Sequence, residues 1–208
     1  GIFSPHVYNL LPKEYGKVIT QTHVGDTISC GNFIGTENVN YVKNGDISSS
    51  NEISGGYSEL FGVSSAYWNK EYTTNPLNAN NRARKITLLQ ALPGDITTIG
   101  LATINAPRDG KYTAYIRFKV IQGTFTKFDL HFMGIEHSLT RSEIENGKEI
   151  LLVADSGRFV AADAALSLYI SLSGTDGSDD IILEVYEVGV IMGSTYIPYA
   201  KLHEAAKI

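Results

Sequence analysis

An all-β, antiparallel sandwich is the fold this sequence predicts, on three observations. Apolar and polar residues alternate with period 2 through several separate segments, the signature of half-buried strands. Twenty Gly and twelve Tyr stand beside abundant Ser, Thr and Asn, with only two Met and one Trp, a composition suited to many short strands joined by turns. Helical patterning is confined to the end, where Tyr199 to Lys207 allows two turns.

Taken in order, the first strands are short: Lys17 to Val24, Thr27 to Phe33, Asn40 to Val42, Lys85 to Gln90 and Thr98 to Ile104. Between them Asn51 to Asn81 reads as one long loop, with room for a short strand around Phe61-Gly62-Val63. Loops of that length inside a domain are uncommon and often functional. The clearest strand is Lys111 to Val120, after the turn Pro107-Arg108-Asp109-Gly110. Tyr112, Ala114, Ile116, Phe118 and Val120 take one face; Lys111, Thr113, Tyr115, Arg117 and Lys119 take the other. Thr126 to Phe132 repeats the pattern, and the short link Ile121-Gln122-Gly123-Thr124 predicts that the two form an antiparallel hairpin. Ile150 to Val153 follows the turn Glu145 to Lys148. Leu166, Leu168, Ile170 and Leu172 alternate with Ser167, Tyr169, Ser171 and Ser173, and a polar loop, Gly174 to Asp180, leads to a last strand, Ile181 to Ile191. In that strand Ile181, Leu183 and Val185 share one parity, Val188 and Val190 the other. Either a bulge near Tyr186-Glu187 restores both halves to the core, or the strand is central and buried on both faces.

The 208 residues suffice for one well-packed domain. The division expected is a lead segment, 1–36, and a sandwich, 37–208. A lead of about 35 residues is too short to hold its own core and must pack on the sandwich or on copies of it. The chain begins at Gly1 without Met, as a fragment, a processed product or a tag remnant would. The net charge of −5 disfavours nucleic acid as a partner; the cations Arg82, Arg84 and Lys85 offer a local exception for an anionic sugar. The single cysteine, Cys30, excludes an intrachain disulfide. No apolar run approaches the ~20 residues that span a bilayer, so membrane insertion is not expected, and no nucleophile motif, phosphate loop or dinucleotide fingerprint is present.

Sugar recognition needs flat aromatic faces for the C–H face of a pyranose and planar polar groups for its hydroxyls. The loop Asn51–Asn81 supplies both: Tyr57, Tyr67, Trp68 and Tyr72, with Asn69, Asn75, Asn78, Asn80, Asn81 and the adjoining Arg82. The plainer alternative packs Trp68 and the Tyr rings onto the core. A second candidate is the outward set Tyr115, Arg117, Lys119, Lys127, Asp129 and His131, which share one sheet face if the hairpin forms; the alternative there is a solvated face or a subunit contact. Carboxylates for glycoside hydrolysis would come from Glu184 and Glu187, or from Asp176, Asp179 and Asp180. The five His are scattered, with no pair at metal-ligand spacing.

Three stretches, Val42-Lys43-Asn44-Gly45-Asp46-Ile47-Ser48 followed at a distance by Trp68, Gly110-Lys111-Tyr112-Thr113, and Glu184 through Gly193, resemble in order and separation the jelly-roll carbohydrate-binding-like domains. Such domains occur in glycan-active enzymes and at the C-terminal ends of phage tail spikes and tail fibres. Ile47 stands where that family tends to have Phe. The resemblance, over roughly Glu37 to Tyr199, implies a jelly roll acting as a non-catalytic glycan-recognition, receptor-binding module of a tail spike or fibre, with bacterial surface polysaccharide as partner. It also implies a homotrimer and a place in the virion tail. The alternatives are a trimerising cap without a ligand, part of a polysaccharide depolymerase, or the binding module of a secreted bacterial glycanase. No cofactor is expected. Similar modules often hold a structural Ca²⁺ near the first motif, which nominates Asp46; a simple turn at Asn44-Gly45-Asp46 is the alternative.

Overall fold

The computed structural model describes residues 39–48, 60–61, 68–89, 97–196 and 203–204. The lead segment 1–36, the strands expected over Lys17–Val24 and Thr27–Phe33, and Tyr57 and Tyr67 lie outside the described residues. The strands are β1 (Val39–Asn40), β2 (Leu60–Phe61), β3 (Trp68–Thr74), β4 (Arg82–Leu88), β5 (Thr97–Asn105), β6 (Tyr112–Gln122), β7 (Lys127–Phe132), β8 (Ile135–Thr140), β9 (Glu149–Asp155), β10 (Ala165–Ser173), β11 (Ile181–Met192) and β12 (His203–Glu204). Two five-stranded antiparallel sheets form the sandwich. The first runs β2-β5-β10-β7-β8, the second β3-β4-β11-β6-β9. From β4 onward the chain changes sheet at every connection but β7 to β8, the path of a jelly roll.

The alternation read in the sequence sets the core. Tyr112, Ala114, Ile116, Phe118 and Val120 of β6 face Phe128, Leu130 and Phe132 of β7 and Leu166, Leu168, Ile170 and Leu172 of β10, all buried. Phe118 and Phe128 stack across the gap at 4.4 Å. These two rings overturn the expected hairpin: β6 and β7 lie in opposite sheets. Alternation assigns residues to the core or to solvent and is silent on which strand is the neighbour. The link crosses the sandwich instead of reversing in plane. Gly123 carries φ +135°, and a Cβ there would stand 2.9 Å from the Ile181 Cα. Phe125 then drops into the core.

The register slip in the last strand is a bulge. Val185 pairs with Phe118 and Glu187 with Arg117, leaving Tyr186 as the extra residue, so Val185 and Val188 both reach the core. The first motif docks beside it. The buried Asn40 side chain donates to the Val188 carbonyl (3.2 Å) and accepts from the Val42 and Val190 amides (3.1 and 3.0 Å). The Val188 amide donates to the Gly45 carbonyl at 2.7 Å.

Two further expectations are corrected. Residues 68–74 are not loop but strand β3, which pairs with β4 along its whole length, and the connection 75–81 is the loop between them; residues 51–59 and 62–67 of the expected loop lie outside the described residues. Three outward residues and four half-buried ones weaken the alternation in β3, which hid it in the sequence. At the chain's end, His203–Glu204 pairs in parallel with β1 as a strand, where two helical turns were expected.

Candidate functional site

The described residues proposed from sequence scatter over several places. Trp68 and Tyr72 are half-buried against the core, and Tyr72 accepts a hydrogen bond from the buried Arg84 guanidinium at 3.3 Å. Asn69 and Arg82 are exposed on the β3–β4 hairpin. The asparagines of its tip build the turn. Asn75 donates to the Arg82 carbonyl and accepts from the Leu77 amide, and Asn78 accepts from the Asn80 amide. Asp46 accepts from the Ser48 amide at 3.2 Å within its own turn. Among the described residues no three His, Cys, Asp or Glu are grouped to hold a metal.

Tyr115 and Arg117 lie on the outer face of the second sheet, and that face is closed. Tyr115 is 0% exposed, so it offers a ligand no surface. Its ring lies over Gly189, where a Cβ would stand 2.1 Å from Cε1, and meets Tyr196 edge-on at 5.1 Å. Arg117 donates to Glu187 at 3.0 Å, to Glu149 and to the Tyr196 hydroxyl. Burial pushes the Glu187 carboxyl up from its ordinary value, and Arg117 recovers only part of that. Glu184 accepts from the Tyr186 hydroxyl. In the loop before β11, Asp176 accepts from Ser178 and Asp179 from Thr124. Of the carboxylates considered for hydrolysis, Glu184, Glu187, Asp176 and Asp179 are thus engaged in structural contacts.

The outer face of the first sheet is open. Because Leu166, Leu168, Ile170 and Leu172 point inward, Ser167, Tyr169, Ser171 and Ser173 of β10 point outward beside Lys127, Asp129 and His131 of β7. Tyr169 pairs with His131 across the strands, their rings stacked at 4.4 Å and 10°. Ser171 and Ser173 carry short side chains between longer ones. The result is a depression of about 390 Å³ lined by Thr98, Lys127, Asp129, His131, Glu136, Tyr169, Ser171 and Ser173. The Lys127 ammonium stands 2.8 Å from Asp129 and 3.8 Å from Glu136, and its pKa is raised chiefly by the hydrogen bond to Asp129. Asp129, its side chain only 6% exposed, also accepts from the Ser138 hydroxyl.

Ser171 Oγ lies 2.7 Å from His131 Nε2, and His131 Nδ1 lies 3.4 Å from Glu136. That is the order of a hydrolytic triad, but not its geometry. The His–Glu separation exceeds hydrogen-bond range. Ser171 is 4% exposed and sits mid-strand between β5 and β7, where backbone amides serve the sheet ladders and not a developing oxyanion. The array is a surface of hydrogen-bonding groups around one aromatic pair.

Sequence reasoning placed Lys127, Asp129 and His131 outward but missed Tyr169, Ser171, Ser173, Thr98 and Glu136. The alternation of β10 was legible. Its adjacency to β7, 40 residues away in sequence, was not.

No protein-family model matches the chain, and no curated protein matches it. Solved structures similar to it include a carbohydrate binding module from Cellvibrio mixtus lichenase 5A in complex with cellotriose: 12% identity over 67% of this chain and 92% of that one, TM-score 0.39. A putative sugar binding protein from Bacteroides thetaiotaomicron is 12% identical over 76% and 95%, TM-score 0.42. An arabinose-bound α-L-arabinofuranosidase is 10% identical over 76% of this chain, which spans 27% of the enzyme, TM-score 0.45. At these identities the likeness concerns the path of the chain alone.

Proposed function

We propose that the chain is a glycan-recognition module whose binding face is the outer surface of the first sheet, and that it binds without catalysing. The observation that carries this is the depression around Tyr169 and His131. It joins a half-buried stack of flat rings to hydroxyls and carboxylates, the two kinds of group that a pyranose's C–H face and hydroxyls require. Strand positions hold these groups rigidly, which lowers the ordering cost of binding. The engaged carboxylates of the second sheet and the triad order without triad geometry favour recognition over hydrolysis.

The finer reading keeps the setting that the sequence resemblance implies: a receptor-binding domain at the end of a phage tail spike or fibre, trimeric, facing bacterial surface polysaccharide. It is supported by that resemblance and by the presence of an exposed polar face suited to a polymer. The test is a panel of bacterial polysaccharides offered to the purified chain, with mass read by light scattering and polymer length by size-exclusion on the same samples. Retention of one polymer at unchanged length supports recognition. Shortening of the polymer contradicts the non-catalytic reading, and a monomer contradicts the trimeric setting.

A further inference from the structure

We infer that the depression on the first sheet selects uncharged sugar chains and turns away those bearing uronate or other anionic groups; the inference rests on the recognition reading above and adds the chemical class of the ligand. The charge balance of the lining residues carries it. Asp129 and Glu136 face the depression with one ammonium, that of Lys127. That ammonium is hydrogen-bonded to Asp129 at 2.8 Å and lies 3.8 Å from Glu136, so its single charge is already set against two carboxylates. The other polar lining groups are the hydroxyls of Thr98, Ser171, Ser173 and Tyr169 and the His131 imidazole, whose Nε2 lies 2.7 Å from Ser171 and whose Nδ1 faces Glu136 at 3.4 Å. A sugar hydroxyl finds here both acceptors, in the carboxylates, and groups able to donate or accept. A ligand carboxylate meets two carboxylates against one ammonium that is already ion-paired, and the imidazole beside them faces Glu136.

The cations that the sequence offered for an anionic sugar do not change this. Arg82 is exposed at the start of β4, Arg84 is buried and donates to Tyr72, and Lys85 is paired with Glu71 at 2.8 Å. All three belong to β4 of the second sheet, on the other side of the core from the depression. Arg117 is held by Glu149 and Glu187 on that same sheet.

One unbalanced carboxylate about 5 Å from an incoming anion, at the intermediate dielectric of a surface site, weakens binding about tenfold. The experiment uses the unmodified chain and matched pairs of polymers. Each neutral polysaccharide of the panel is compared with its C6-oxidised uronate form, and each acidic one with its carboxyl-reduced form, by isothermal titration at about 20 mM and about 500 mM salt, where screening contracts to a few ångströms. The expected result is that the neutral member of a bound pair binds at least about tenfold tighter at low salt, with the gap narrowing at high salt. Glu136→Gln, at an exposed position, should narrow it at low salt as well. An acidic member that binds as tightly as its neutral partner, or more tightly, overturns the inference while leaving recognition standing. Binding of neither member of any pair overturns the recognition reading and the inference with it.

Discussion

The outer faces of the two sheets draw on the same residue types and come out opposite. On the second sheet Gly189 lets the Tyr115 ring lie flat on β11, Arg117 gathers Glu149 and Glu187, and the chain beyond β11 brings Tyr196 over both. On the first sheet the residues flanking Tyr169 and Lys127 are Ser171, Ser173 and Thr98, too short to fill the space. One face spends its aromatic and charged groups on internal packing; the other leaves them at the rim of a hollow. What separates the closed face from the open one here is side-chain length at neighbouring strand positions, more than charge or aromatic content.

The contrast can be broken from the closed side first. Gly189→Ala places a methyl against the Tyr115 ring and forces it outward, at a cost of about 3 kcal/mol. Thermal denaturation should show a fall of about 6–12 °C for a chain of this size. Arg117→Ala leaves Glu149 and Glu187 without their shared cation on a partly buried face. Discounted for its solvent access, the loss is about 2 kcal/mol by urea unfolding. Neither change should alter glycan binding. On the open side the pattern inverts: Tyr169→Ala should weaken glycan binding about tenfold while shifting the urea midpoint little.

The smallest expected effect concerns pH. Glu187 on the closed face has a raised carboxyl, so its ionised form is a burden at neutral pH. The native state gains stability as pH falls through that raised value toward the ordinary carboxylate range. Glu143, just beyond β8 of the open sheet, is lowered first by the Thr140 amide and then by its hydroxyl. Its contribution is present above the ordinary carboxylate value and is lost as pH falls through the lowered one. Melting temperatures taken from pH 7 to pH 3 for Glu187→Gln and Glu143→Gln should therefore deviate from the parent with opposite slopes.

Much of this contrast was legible before the structure, but not its location. Parity along β6, β7 and β10 follows from hydrophobic alternation, because a strand's two faces are fixed by its own sequence. The slip of parity at Tyr186-Glu187 was legible for the same reason, with a bulge as one of its two readings. Sheet membership was not: a six-residue strand cannot show whether its neighbour lies in the next strand of the chain or across the core. That ambiguity joined Tyr115 and Arg117 to Lys127 and His131 as one surface, when the core separates them. It also kept Ser171 from notice, since a serine on a strand marks a site only once His131 is known to stand beside it.

The most direct measurement compares the unmodified chain, Tyr169→Ala and Arg117→Ala against one polysaccharide panel, with folding of each verified by circular dichroism. The account predicts that the unmodified chain and Arg117→Ala retain the same polymer while Tyr169→Ala loses about tenfold in affinity. Loss on Arg117→Ala with full retention by a folded Tyr169→Ala would place the binding face on the other sheet and contradict the account.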